Sequence, residues 1–91
     1  DGLKFKLYNQ TNYNLKEVNV FSNNVNDLVK SGKSVTYDFS WDSTEDIPFI
    51  SFKIEEEFLG KYIFPDTTKC MNSIFIDSVN LELGEVYLHI E

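Results

Sequence analysis

Ser34-Val35-Thr36-Tyr37-Asp38-Phe39-Ser40-Trp41 is the stretch whose reading decides the fold. Val35, Tyr37, Phe39 and Trp41 alternate with Ser34, Thr36, Asp38 and Ser40, the two-residue period of a strand with one face in a core and the other in water. It is the cleanest alternation in the chain, and it predicts a strand at the centre of the core.

The same period recurs on both sides of it. Residues 3 to 8 set Leu3, Phe5 and Leu7 against Lys4, Lys6 and Tyr8, and residues 13 to 21 read as a second strand. Its apolar phase shifts between Leu15 and Val18, so a bulge is expected near Lys16-Glu17. Downstream, Ile50, Phe52 and Ile54 alternate with Ser51, Lys53 and Glu55, and residues 58 to 64 give a fifth strand. Gly60 inside it marks a bulge or a close approach. Residues 73 to 79, around Ile74 and Ile76, and residues 85 to 90, with Val86, Leu88 and Ile90 inward, complete the set. The asparagine-rich segment from 22 to 33 reads as a long loop or a weak edge strand. About seven short strands in 91 residues is the rhythm of a single antiparallel β-sandwich of Greek-key type.

Composition agrees. The chain has no alanine but seven valines and seven isoleucines, whose branched side chains suit a pleated sheet. Eight phenylalanines, five tyrosines and Trp41 supply the bulk that a small core needs. Asparagine, serine and aspartate cluster between the apolar runs, where they stabilise turns.

Charge and cysteine usage narrow the function. The formal net charge is −7, with eight lysines and no arginine. Nucleic-acid binding requires a positive footprint and makes heavy use of arginine, so nucleic acid is not an expected partner. Cys70, the sole cysteine, rules out an internal disulfide or a cysteine-held zinc. No apolar run is long enough to span a bilayer. The chain opens on Asp1-Gly2, which leads us to expect a removed leader.

Four features together resemble a known type: Asn9-Gln10-Thr11 closing the first strand, a valine-rich strand after it, a Ser-Gly-x-Ser-x-x-Tyr segment at residues 31 to 37, and Leu83-Gly84-Glu85-Val86-Tyr87 near the end. The pattern resembles the small prealbumin-like or immunoglobulin-like β-sandwich lipoproteins of Bacteroidetes-type bacterial envelopes. That resemblance implies an extracytoplasmic sandwich, in the periplasm or at the cell surface, tethered by a lipidated cysteine upstream of Asp1. Cys70 lies too deep in the chain to stand in for it. Both glycine turns precede a strand carrying a tyrosine, and Tyr87 is expected to return its hydroxyl to upstream backbone as a corner pin.

Candidate chemistry is sparse. No catalytic residue is assigned. His89, the sole histidine, is expected on a solvent-facing strand surface, and no serine sits in a nucleophile-elbow sequence. If turns alternate between the two ends of the sandwich, Asn12, Asp42, Glu45, Asp46 and Asp66 share one end, and Glu55, Glu56, Glu57 and Glu82 share the other. Asp42, Glu45, Asp46 and Asp66 form a calcium candidate by oxygen chemistry. They lack the EF-hand spacing, and an ordinary solvated acidic turn is the favoured reading. Tyr8, Tyr13, Phe21, Tyr62 and Tyr87 are the rings placed off the main core face by parity, although core burial remains the favoured reading for the group. Tyr13 and Tyr62 are the binding candidates among them. No cofactor is expected. The reading that follows is a non-enzymatic envelope or surface module binding a protein or a glycan, against an accessory domain of a larger secreted protein or calcium-assisted carbohydrate binding.

Overall fold

The computed structural model describes residues 3–21, 23–39, 48–66 and 68–91. Eight strands are present among them: β1 (Leu3–Asn9), β2 (Leu15–Val20), β3 (Asn23–Val29), β4 (Ser34–Phe39), β5 (Phe49–Ile54), β6 (Glu57–Tyr62), β7 (Met71–Asn80) and β8 (Glu85–Ile90). They form two four-stranded sheets, in the orders β4-β1-β7-β8 and β3-β2-β5-β6. Among the described residues there is no helix long and apolar enough to cross a membrane.

The extra strand is β3, drawn from the asparagine-rich segment, and it sits at a sheet edge. Its presence changes two expectations. Each connection reverses the chain direction, and with β3 counted the first and seventh strands run the same way. They pair in parallel, Lys4 opposite Met71 through Asn9 opposite Ile76, so the sandwich is not wholly antiparallel. The reversal added by β3 also moves Asn12 away from Asp66, to the end that carries Glu55 and Glu82.

One core lies between the sheets. Phe5 and Leu7 of β1, Ile50 and Phe52 of β5, and Ile74 and Ile76 of β7 have no accessible surface. Burying one such side chain contributes about 1.5–3 kcal/mol. These residues occupy the phases read from the sequence. The position of β4 does not match: it is an edge strand, with Val35 and Tyr37 only partly buried. Alternation reports that one face is covered and is silent on how many strands lie alongside. Trp41 and Asp42 to Ile47 fall outside the described residues.

The bulge in β2 is where the phase shift placed it. Glu17 takes a φ of +47°, and the pairing with β5 shifts register between Lys16 and Asn19. The extra residue lets Leu15, Val18 and Val20 all reach the core. Phe21 also has positive φ, +52°. That turns its ring inward, edge-on to Phe5 at 5.3 Å, so Phe21 is core and not an outer-face aromatic. At Gly60 the β5–β6 register is continuous. The close approach comes from a side chain, because a Cβ there would stand 2.4 Å from the Phe49 ring.

Gly32 and Gly84 adopt positive φ in the two echoing turns. Tyr87 is not a corner pin. It is exposed, and its hydroxyl donates to the carboxylate of Glu85, two residues back on the same strand. Other groups tie the connections: the Asn80 side chain accepts from the Leu83 amide at 3.1 Å, and the Lys61 ammonium donates to the Val86 carbonyl at 3.1 Å, bridging the β6 and β8 edges.

Candidate binding surfaces

The end of the sandwich that carries the β1–β2 turn is built on Asn9. Its side chain is 1% exposed, and all of its hydrogen-bonding capacity is used. The amide nitrogen donates to the Tyr13 carbonyl at 2.7 Å and the Val29 carbonyl at 2.9 Å. The amide oxygen accepts from the Thr11 backbone N–H at 3.0 Å and the Thr11 hydroxyl at 2.7 Å. The Thr11 hydroxyl in turn accepts from the Tyr13 N–H at 3.1 Å.

The neighbouring turn closes onto the same corner. Ser31 donates its hydroxyl to the Thr11 carbonyl at 2.5 Å, Gly32 N–H reaches the Asn9 carbonyl at 2.8 Å, and Asn9 N–H reaches the Lys33 carbonyl at 2.9 Å. The Asn-x-Thr and Ser-Gly segments are therefore one physical unit, fastening the β1→β2 crossing to the β3→β4 crossing. Asn9 is closed to glycosylation, since both hydrogens of its amide are engaged inside the fold.

On this pedestal stands Tyr13, 37% exposed. Its residue borders two shallow hollows. One, of about 270 Å³, is lined by Asn12, Asn14, Lys16, Ile54 and Glu55 besides Tyr13. The other, of about 200 Å³, is lined by Gln10, Thr11, Asp77 and Ser78 among others.

The second candidate tyrosine lies elsewhere. Tyr62 is opposite Phe49 in the β5–β6 ladder, at the other end of β5 from Ile54 and the Tyr13 hollow. The two tyrosines do not form one site. Tyr62 belongs to an exposed aromatic group on β6 and just past its end, in which Phe58, Tyr62 and Phe64 are 69%, 60% and 80% exposed. The Phe49 ring packs edge-on to Tyr62 at 4.9 Å and overlies Gly60, filling the gap between Phe58 and Tyr62. Across the same outer face the register aligns Leu28, Lys16, Lys53 and Phe58 in one row, with the Lys53 ammonium 5.3 Å from the Phe58 ring centre.

Sequence reading missed Phe58 and Phe64. The signal was there: Leu59 and Ile63 keep the inward phase, which leaves 58, 62 and 64 on the outward one.

The outer face of the other sheet carries a stack. Tyr8 lies parallel to Phe75 at 4.5 Å, and Phe75 parallel to His89 at 4.7 Å. His89 is exposed, as its phase required. Its Nδ1 is 2.6 Å from Asp77 Oδ2 and its Nε2 is 3.0 Å from Glu91 Oε2. The hydrogen bond to Asp77, with help from Glu91, raises its pKa above the ordinary histidine value.

Of the calcium candidates, Asp42, Glu45 and Asp46 lie outside the described residues. Asp66 Oδ1 accepts from the Thr68 amide at 2.9 Å and the Thr68 hydroxyl at 2.5 Å, which hold its carboxyl below the usual aspartate value. Its backbone is pinned by buried Asn72, at 3.0 and 3.1 Å. Among the described residues no group of three or more histidine, cysteine or acidic side chains is arranged to hold a metal ion.

No protein-family model matches the chain, and neither curated proteins nor solved structures give a significant match.

Proposed function

We propose that this chain is a non-enzymatic, prealbumin-like binding module of the cell envelope or surface, and that it holds a partner protein on the outer face of β5 and β6. The observation that carries this reading is the group of Phe58, Tyr62 and Phe64, left 60–80% exposed beside the half-buried Phe49. Single exposed apolar residues are ordinary, but a group of them marks a contact surface. Lys53 lies on the same face, its ammonium 5.3 Å from the Phe58 ring centre, in a protein whose net charge is −7. The complementary partner surface is apolar with an acidic rim.

The strand order supports the prealbumin-like form of the sandwich over the immunoglobulin-like one. In the immunoglobulin arrangement the first two strands are neighbours in one sheet. Here β1 and β2 lie in different sheets, and β1 is flanked by β4 and β7. The resemblance drawn from the sequence carries the envelope location. A non-catalytic role is supported at His89, where a carboxylate occupies each ring nitrogen and leaves neither to activate a nucleophile.

The test compares the wild-type domain with a Phe58→Ser/Phe64→Ser variant in capture from an envelope extract of the source organism. Both side chains are exposed, so the variant keeps its fold. One protein captured by the wild type and lost by the variant supports the reading. Equal capture by both, or none by either, overturns it, as does turnover of chromogenic ester or glycoside substrates by the pure domain.

A further inference from the structure

We infer that the Tyr13 end of the sandwich is a separate site, a two-subsite cleft for a neutral oligosaccharide. A sugar ring presents apolar C–H faces and a rim of hydroxyls that both donate and accept, so its receptor needs an exposed aromatic surface flanked by short polar side chains of mixed character. Tyr13 is that surface, and it borders hollows of about 270 and 200 Å³.

The flanking groups fit hydroxyls. In the larger hollow Asn12, Asn14 and Glu55 offer both donors and acceptors. Lys16 and Glu55 balance each other in charge, so the hollow selects neither anion nor cation. In the smaller hollow Gln10 and Ser78 provide the neutral contacts. Asp77 spends Oδ2 on His89 at 2.6 Å and keeps Oδ1 for a ligand. The only deeply apolar lining of the larger hollow is Ile54, itself 1% exposed, which leaves no pocket for an apolar peptide anchor.

The pedestal adds rigidity. The Tyr13 backbone is held on both sides, its carbonyl by Asn9 at 2.7 Å and its N–H by Thr11 at 3.1 Å. The Asn14 side chain is oriented by its bond from the Ser31 amide at 3.0 Å. A contact set that is already ordered loses little conformational entropy on binding, which shallow sites require. Because Asn12 and Tyr13 line both hollows, a ligand that uses both passes over these two residues, so the site favours two or more linked sugars over one.

The experiment is a 1H–15N NMR titration of the whole domain with glucose, N-acetylglucosamine, cellotriose, maltotriose, laminaritriose, mannotriose and triacetylchitotriose, run beside a neutral-glycan array. The expected result is that at least one trisaccharide shifts the amides of residues 12–14, 16, 55 and 77–79 and binds about tenfold more tightly than its monosaccharide, the equivalent of about 1.4 kcal/mol. Tyr13→Ala weakens binding by at least about tenfold on the same scale, whereas Tyr62→Ala stays within about twofold. If Tyr13→Ala does not fold, Asn12→Ala and Glu55→Gln, at exposed positions, take its place.

Three results overturn the inference: no array glycan retained above the Tyr13→Ala control, shifts confined to β5 and β6, or monosaccharide and trisaccharide affinities that are equal. The protein-capture test on Phe58 and Phe64 is independent of all three.

Discussion

Replacing Asn9 with alanine is the sharpest test of the corner that joins the two sheets. The substitution removes an amide that satisfies the Val29 carbonyl at 2.9 Å, the Tyr13 carbonyl at 2.7 Å, the Thr11 N–H at 3.0 Å and the Thr11 hydroxyl at 2.7 Å. Val29 is 3% and Thr11 5% exposed, so water reaches their groups poorly. Each buried group left unpaired costs about 1–3 kcal/mol. The hydroxyl can turn to the Tyr13 carbonyl, 3.1 Å away, which recovers part of the loss. With two or three groups left stranded the net cost is about 2–4 kcal/mol, a large share of the roughly 5–15 kcal/mol that holds a typical domain together.

Urea unfolding followed by tyrosine and tryptophan fluorescence measures it, with the slope of the transition checked for constancy. In a domain of this size about 1 kcal/mol moves Tm by roughly 4–8 °C, so a fall of at least about 8 °C is expected. Asn24→Ala, at an exposed position of β3, is the control and stays within about 0.5 kcal/mol. A loss below about 1 kcal/mol for Asn9→Ala, at unchanged slope, would refute the argument that this amide staples the crossings.

Three further outcomes are expected. Glu55 opens the two-residue β5–β6 turn with a φ of +55°, a conformation that two-residue hairpin loops demand and that a glutamate adopts at a cost. Glu55→Gly therefore stabilises the domain by about 0.5–1 kcal/mol in urea unfolding, and a loss of stability would show that the turn holds no strain. Gly60→Ala drives the Phe49 ring off its seat and away from Tyr62, costing about 1–2 kcal/mol in the same assay; an unchanged midpoint would mean that ring has no fixed place.

His89 titrates in NMR above its ordinary value of 6.5, and Asp77→Asn brings it back down. Because the folded-state pKa is raised, the linked stability is fully present below about pH 6.5 and is lost as pH rises through the folded-state value. Identical titration curves for wild type and variant would remove Asp77 as the cause.

Much of the fold could be read from phase alone. The inward residues of β1, β5, β7 and β8 follow from alternation, and the bulge at Glu17 follows from the slip between Leu15 and Val18. β3 was ambiguous because asparagine disfavours strands and an edge position asks for few apolar residues. That one ambiguity propagated, since a strand more or less reverses every later direction. It hid the parallel pairing of β1 with β7 and put Asn12 at the wrong end. Parity left Phe21 between core and outer face, because a positive φ at a bulky residue leaves no trace in hydropathy; the favoured core reading is the one its burial bears out.

At the sites, parity singled out Tyr13 and Tyr62 as candidates off the core face, but it favoured core burial for that group, and their exposure shows only in the fold. The hollows beside Tyr13 were not legible, because they exist only where turns far apart in sequence meet. The role of Asn9 was equally hidden, since two of its bonds depend on the carbonyls of Tyr13 and Val29.

The parallel β1–β7 ladder also bears on the order in which the chain can assemble. The β3-β2-β5-β6 sheet is complete once residue 62 is available. The other sheet cannot close until Lys4 has met Met71 and Asn9 has met Ile76. Contacts of such long sequence separation form slowly, because a long loop must be closed before they reward it. A chain emerging from its N-terminus keeps β1, with Phe5 and Leu7, without one flanking strand until nearly the whole domain has appeared.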